Sequence, residues 1–477
     1  MSIAIMNALK VRAHIVVLAL TCMGLTSTVT AAASVKVPAY ERVQLDNGAV
    51  LLLMERHDVP MISVQAVVRG GAVTDPAGQS GMASLLADLL GKGAGKRDAQ
   101  AFASTLASVG GLLSAAAGTE ATVVSGSFMA RDQKLMVELL ADMLMRPTLD
   151  AAQFEAQRTR DIESIRAAKD SELRSLAPVY GKAALFGNHP YGKAVMGSES
   201  GLAAIDRESL VRHYREQFGA DRLIIAVAGD FRTADMKSAL SSAFTGWGKA
   251  SAALPAVPVA EHHSGRRVVL IDAPESVQSY FWAGNVGVAR SFAQRAPLDV
   301  VNTLFGGRFT SMLNSELRIR TGLSYGAGSR FEKLSEPGAW AMSSFTRTET
   351  TIEAIDLALS VLDKLHAAVL EPAMLDSGKS YVRGQFPLAL ETPDQWADTL
   401  ADLEFYRLDR SYIDGYDAAL AAVSATDAQK MIREVFPAST DITLVVIGQA
   451  AAIRDGLKKY GPVAEMKLAD ATFSTTH

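Results

Sequence analysis

Gly81-Met-Ala-Ser-Leu-Leu-Ala-Asp-Leu-Leu-Gly-Lys-Gly93 is bounded by glycines and carries its apolar residues at helical spacing. Met82, Leu85, Leu86, Leu89 and Leu90 fall on one stripe, the pattern of an amphipathic helix laid on a core. Ser84 and Asp88, four residues apart, stand one above the other on the opposite face, with Ala87 beside them. Taken by itself, the stretch is a scaffold helix.

Outward from this helix the chain repeats itself. Met54-Glu-Arg-His-Asp-Val-Pro-Met-Ile-Ser-Val-Gln-Ala-Val-Val-Arg-Gly-Gly71 reads as a strand, a polar turn and an alternating strand, and Val268-Val-Leu-Ile-Asp-Ala-Pro-Glu-Ser-Val-Gln-Ser-Tyr-Phe-Trp-Ala-Gly284 has the same rhythm. Each copy runs on into an amphipathic helix, over 132–145 and 350–366. Each closes with a β-branched strand, Leu223 to Ala228 and Ile442 to Ile447, before Gly229 or Gly448. Such long-period similarity implies two homologous domains. At 477 residues the chain also exceeds the size at which single cores stop growing, about 250–300 residues. Ala, Ser and Pro crowd the stretch from Lys249 to Gly265, which reads as a linker. The expected organisation is a processing segment over 1–33, a first domain over 34–250, a linker over 251–265 and a second domain over 266–477.

Several stretches resemble the M16 peptidases, the pitrilysin, insulinase and mitochondrial processing peptidase relatives. Val43 to Leu53, with its Asn47-Gly48 turn, is similar to the first strand of that family. His189-Pro-Tyr-Gly192 is similar to its HPYG loop, and Leu210-Val-Arg-His-Tyr214 with Leu223 to Asp230 to the helix and strand that follow. Arg318-Ile-Arg-Thr-Gly-Leu-Ser-Tyr325 fits R-x-x-x-G-L-x-Y of the C-terminal half. The resemblance implies an α+β fold of two homologous α/β layer-sandwich domains, of the LuxS/M16 peptidase-like kind, facing each other across a cavity.

The resemblance also gives the Gly81–Gly93 helix a second meaning. In the family it carries H-x-x-E-H, two histidines and a carboxylate that hold Zn²⁺ over an activated water. The matching positions here are Ser84, Ala87 and Asp88. The family's third ligand, a glutamate on a later helix, falls on Ser164 by count from Asp88, and its supporting glutamate, two helical turns earlier, falls on Gln157. No metal is therefore expected in this chain, apart from a stray cation held weakly through the oxygens of Asp88 and Glu163.

Arg318 and Tyr325 are the candidate catalytic residues. Gly322 is placed to end the helix in a left-handed turn that brings both side chains to one side of a cavity. In M16 enzymes the matching arginine and tyrosine hold substrate carbonyls and help stabilise the oxyanion.

Composition bounds the alternatives. A net charge of −4 with 49% hydrophobic and 21% charged residues offers no basic patch for nucleic acid. Lys10 and Arg12, the apolar run Ile15 to Leu25 and Ala31-Ala32-Ala33 form an export signal, so the product is expected in the periplasm or outside the cell. Cys22 suggests a lipoprotein site, but Thr21 precedes it where a small Gly, Ala or Ser belongs. No later segment reaches the length of a membrane span. Among eight histidines, His57, His189, His213, His262, His263 and His366 share no i, i+3 or i, i+4 pairing. His262-His263 reads as linker surface and His189 as a capping residue. Gly306-Gly-Arg-Phe309 and Gly91-Lys-Gly-Ala-Gly95 lack the Lys-Ser/Thr ending of a phosphate loop; the first is expected to give flexibility near the cavity.

One M16 subgroup divides its site between two chains. The expected function is the non-catalytic subunit of a periplasmic heterodimeric zinc metallopeptidase, which binds unfolded peptides and supplies Arg318 and Tyr325. Its expected partner is an M16 chain with intact H-x-x-E-H, which carries the zinc. A purely structural M16-like subunit is the alternative reading, and an autonomous peptidase with unusual ligands a more distant one.

Overall fold

The computed structural model describes residues 35–367 and 370–474, so the expected export signal and Cys22 lie outside the described residues. Two six-stranded mixed sheets carry the fold. The first contains β1 (Glu41–Gln44), β2 (Val50–Glu55) and β3 (Met61–Arg69). After a separate hairpin of β4 (Gly93–Ala94) and β5 (Arg97–Asp98) it gains β6 (Leu112–Ala117), β7 (Ala121–Met129) and β8 (Leu223–Gly229). Its order is β1-β2-β8-β3-β7-β6. The second contains β9 (Arg267–Asp272), β10 (Gln278–Val286), β11 (Ala327–Lys333), β12 (Pro337–Arg347), β13 (Thr443–Gly448) and β14 (Val463–Lys467), in the order β11-β12-β10-β13-β9-β14.

The duplication is complete at the level of pairing. In both sheets the last core strand runs parallel to the first, as β8 to β2 and β13 to β9, and antiparallel to the second, β3 or β10. Both continue through antiparallel pairs to an edge, β3-β7-β6 and β10-β12-β11. Only the opposite margin differs: β1 joins as an antiparallel hairpin and β14 as a parallel strand.

Each half lends a helix to the other's sheet. The Leu173–Phe186 helix of the first half packs on β10 and β13, and the Pro393–Phe405 helix of the second packs on β3 and β8. Strand alternation divides the contacts. On β9 and β13, Val269, Ile271, Val445 and Ile447 join the core that contains the Leu173–Phe186 helix, while Val268, Leu270, Leu444 and Val446 face the second half's own helices. A sheet covered on both faces needs continuous apolar strands, and Leu-Val-Val-Ile over 444–447 is fully buried.

Polar contacts tie the halves together as well. The Tyr191 hydroxyl donates to Glu120 at 2.6 Å and accepts the Glu336 N–H at 3.0 Å, while Glu120 also accepts the Ser335 N–H at 2.9 Å. The HPYG loop thus joins the β6–β7 turn to the β11–β12 turn. As expected, His189 is a cap, its ring nitrogen accepting the Tyr191 N–H at 3.1 Å. His263 is not simply linker surface: its ring is half-buried and bonded to the Thr443 hydroxyl at 3.1 Å, because the linker lies along the second sheet. Among the described residues no helix is long and apolar enough to cross a membrane.

Candidate functional site

The Met82–Leu90 helix forms at the expected place, entered through Gly81 at φ 98°. Asp75 starts it: its buried carboxylate accepts the N–H groups of Gly81 at 2.7 Å and Ala83 at 2.9 Å, and burial pushes its pKa up to about 7. Ser84 and Asp88 are half-buried on one face, and Ala87 is buried beside them.

The facing helix, Ala151–Ser171, presents one of the two counted positions, Gln157, but not Ser164. Gln157 donates to Asp161 at 2.8 Å and approaches Asp88 at 3.5 Å, so Gln157 and Asp161, one turn apart, face the first helix. Ser164 and Glu163 are exposed. The oxygen pair at this place is therefore Asp88 and Asp161, not Asp88 and Glu163. Burial, then the like charge of Asp161, pushes the Asp88 carboxyl up to about 6, against the pull of Lys92 and Arg160. Burial raises Asp161 too, and one of its oxygens is buried without a partner. A hydroxyl, a methyl, an amide and two carboxylates with elevated pKa do not fit Zn²⁺, which takes imidazole and thiolate donors with at most a carboxylate or two. Among the described residues no group of three or more His, Cys, Asp and Glu could hold a metal ion.

The second cluster lies in the other half. A short helix, Met312–Asn314, runs into a π-helical turn, Ser315–Arg320, of the kind that accompanies functional sites. Gly322 closes it at φ 66°, with its N–H on the Arg318 carbonyl at 3.2 Å and the Ser324 N–H on the Leu317 carbonyl at 3.0 Å. This reversal carries Tyr325 back over Arg318. The Arg318 guanidinium carbon lies 4.4 Å from the centre of the Tyr325 ring and 4.7 Å from that of Phe309. Both rings are largely exposed, at 74% and 59%, so the aromatic pair serves the arginine rather than a core. Cation–π contact with two rings holds the guanidinium in place, and among the described residues no hydrogen bond engages its N–H groups, which remain available to a carbonyl or oxyanion. Among the described residues Arg318 has no carboxylate partner, whereas Arg320 is paired with Glu316.

Two residues of this cluster escaped the sequence reading. Phe309 was hidden in a glycine-rich piece. Asn314, buried, holds the site together: its amide donates to the Phe309 carbonyl at 2.7 Å and its oxygen accepts the Ala327 N–H at 3.2 Å. Gly306 provides close approach rather than flexibility, since a Cβ there would stand 2.5 Å from the Ser329 nitrogen. The whole borders a cavity of about 590 Å³ lined by Arg318, Phe309 and β11, with Arg174 and Pro178 of the lent helix closing one side.

At the far end of the first sheet β6 is a free edge. Among the described residues it pairs only with β7, and its sequence, Leu-Leu-Ser-Ala-Ala-Ala, has none of the charges or prolines that guard an edge. The Met82–Leu90 helix packs beside it.

Two family models match in succession, the insulinase-type peptidase M16 domain over residues 50–199 and the peptidase M16 inactive domain over residues 204–380. The chain belongs to the M16 peptidase family. This M16 chain is 26% identical over 366 residues to an uncharacterized zinc protease of Mycobacterium leprae, covering 76% of this chain and 82% of the relative. It is 24% identical over 342 residues to a protein of Helicobacter pylori named a non-peptidase homolog, covering 71% and 78%. The crystal structure of a peptidase M16 inactive domain from Pseudomonas fluorescens superposes with a TM-score of 0.80 at 20% identity, over 90% of this chain and 99% of that one. The two-domain fold with homologous α/β halves is that of the family.

Proposed function

We propose that this M16 chain is the non-catalytic subunit of an exported, heterodimeric zinc metallopeptidase. One observation carries the reading: Arg318 lies against both Phe309 and Tyr325 at a cavity, with no carboxylate partner among the described residues, while the zinc-position helix bears no imidazole. A scaffold has no evident use for such an arginine.

In this account an unfolded peptide adds to the free edge of β6, whose backbone groups supply affinity without regard to sequence. Arg318 donates its free N–H fork to a substrate carbonyl and to the negative charge that develops there. Tyr325 holds the guanidinium in place and offers its hydroxyl as a second donor. The partner, an M16 chain with intact H-x-x-E-H, supplies the metal and the hydrolytic water.

Mixing tests the division of labour. The isolated chain is expected to leave unstructured peptides intact, and addition of an intact H-x-x-E-H chain encoded beside it is expected to give cleavage that chelators abolish. Robust hydrolysis by the isolated chain, surviving repurification, would refute it. Cleavage by the partner alone at the same rate would favour a structural role.

A further inference from the structure

The cavity beside Arg318 is strongly one-sided in charge. Four arginines line it, Arg174, Arg308, Arg318 and Arg330, and no Asp or Glu does. None of the four has an ion pair among the described residues, although the chain as a whole is acidic, at −4. Arg174 lies 4.8 Å over the Phe345 ring. Among the described residues Arg308 hydrogen-bonds only the Ser377 carbonyl and hydroxyl, at 3.2 and 3.0 Å, lies 5.9 Å over the Tyr381 ring, and has its Nε buried with no partner. Like charges gathered in one wall repel one another, and the repulsion is relieved when an anion enters. The exposed rings of Phe309 and Tyr381 stand at the same wall.

We propose that this cavity selects acidic peptide segments, with Arg174, Arg308 and Arg330 receiving Asp or Glu side chains of the substrate while Arg318 attends to its backbone. The proposal rests on the chain being a peptide-binding subunit, but it does not require the catalytic partner. Guanidinium forks suit carboxylates bidentately. A cavity of about 590 Å³, open to solvent and walled by aromatic rings, suits several residues of extended chain better than a lone phosphate. The Gly306-Gly307 stretch that lines the cavity lacks the Lys-Ser/Thr ending of a phosphate loop.

The test is fluorescence anisotropy on the isolated full chain with two labelled unstructured peptides, one alternating glutamate with serine and one alternating glutamine with serine. The glutamate peptide is expected to bind about tenfold tighter or more, with the difference shrinking as salt is raised. Arg308→Gln with Arg330→Gln should remove most of the difference. Arg174→Gln, on an exposed position, should lower it alone, and Arg320→Gln should leave it unchanged. Equal binding of the two peptides would overturn the acidic preference while leaving peptide binding intact. Full competition by inorganic phosphate or by a single-stranded oligonucleotide at the peptide's own concentration would also overturn it. A glutamate preference in a chain that no partner activates would retain the cavity's role and remove the peptidase reading.

Discussion

Gly181 lies directly against Trp282, across the boundary between the two halves. Gly181 sits mid-way along the Leu173–Phe186 helix and Trp282 on β10, and a Cβ at Gly181 would stand 2.7 Å from Trp282 Cε3 and closer still to Cδ2. The indole is 4% exposed and packs into the shared core. A glycine in a helix interior costs up to about 1 kcal/mol relative to alanine, so the absent methyl marks where the lent helix touches the other half's sheet.

Gly181→Ala is therefore expected to lower stability, by about 1–3 kcal/mol, the usual scale of overpacking, although helix propensity alone would raise it. Urea denaturation checks the sign. A stabilised variant would mean that the helix can ride away from the sheet.

Asp88 gives a pH dependence. Its folded pKa, about 6, lies above its ordinary value near 4. The protonated form therefore contributes stability that is complete below about pH 4 and is lost as pH rises through 6. Asp88→Asn should match wild type near pH 4 and be more stable at pH 8, by about 1 kcal/mol once solvent screening of this partly exposed group is allowed for. If the variant is instead less stable at pH 8, the carboxylate holds a cation there.

Elemental analysis after dialysis should find no stoichiometric zinc, since Ser84, Ala87 and Asp88 offer no imidazole and Gln157 and Asp161 complete no tetrahedral set. One zinc per chain would overturn the reading of this face.

The duplicated sheets were legible because strands β2-β3 and β9-β10 alternate in the same rhythm, and the left-handed turn at Gly322 was legible because only glycine suits it. The exchange of helices was not: an amphipathic stripe says that a helix buries a face, not whose sheet receives it. Gly181, inside a helical pattern, was the one local hint of close approach. Counting residues placed Gln157 and Ser164 opposite Asp88, whereas the Ala151–Ser171 helix brings Gln157 and, one turn on, Asp161 there. A fixed spacing cannot follow such a shift. Phe309 and Asn314 acquire their roles only through the fold, which brings them to Arg318 and Ala327.

The reading of Arg318 and Tyr325 as a donor pair is tested most directly by kcat/KM of the reconstituted complex. Arg318→Ala should lower it about a hundredfold or more, the scale of losing one oxyanion donor. Association of the two chains should hold, because a cavity-facing side chain contributes little to the interface. Tyr325→Ala should fall comparably, since one of the two rings that hold the guanidinium goes, and Arg320→Ala should cleave as wild type does. An Arg318→Ala complex that assembles and cleaves at the wild-type rate would contradict the account and leave the chain a scaffold.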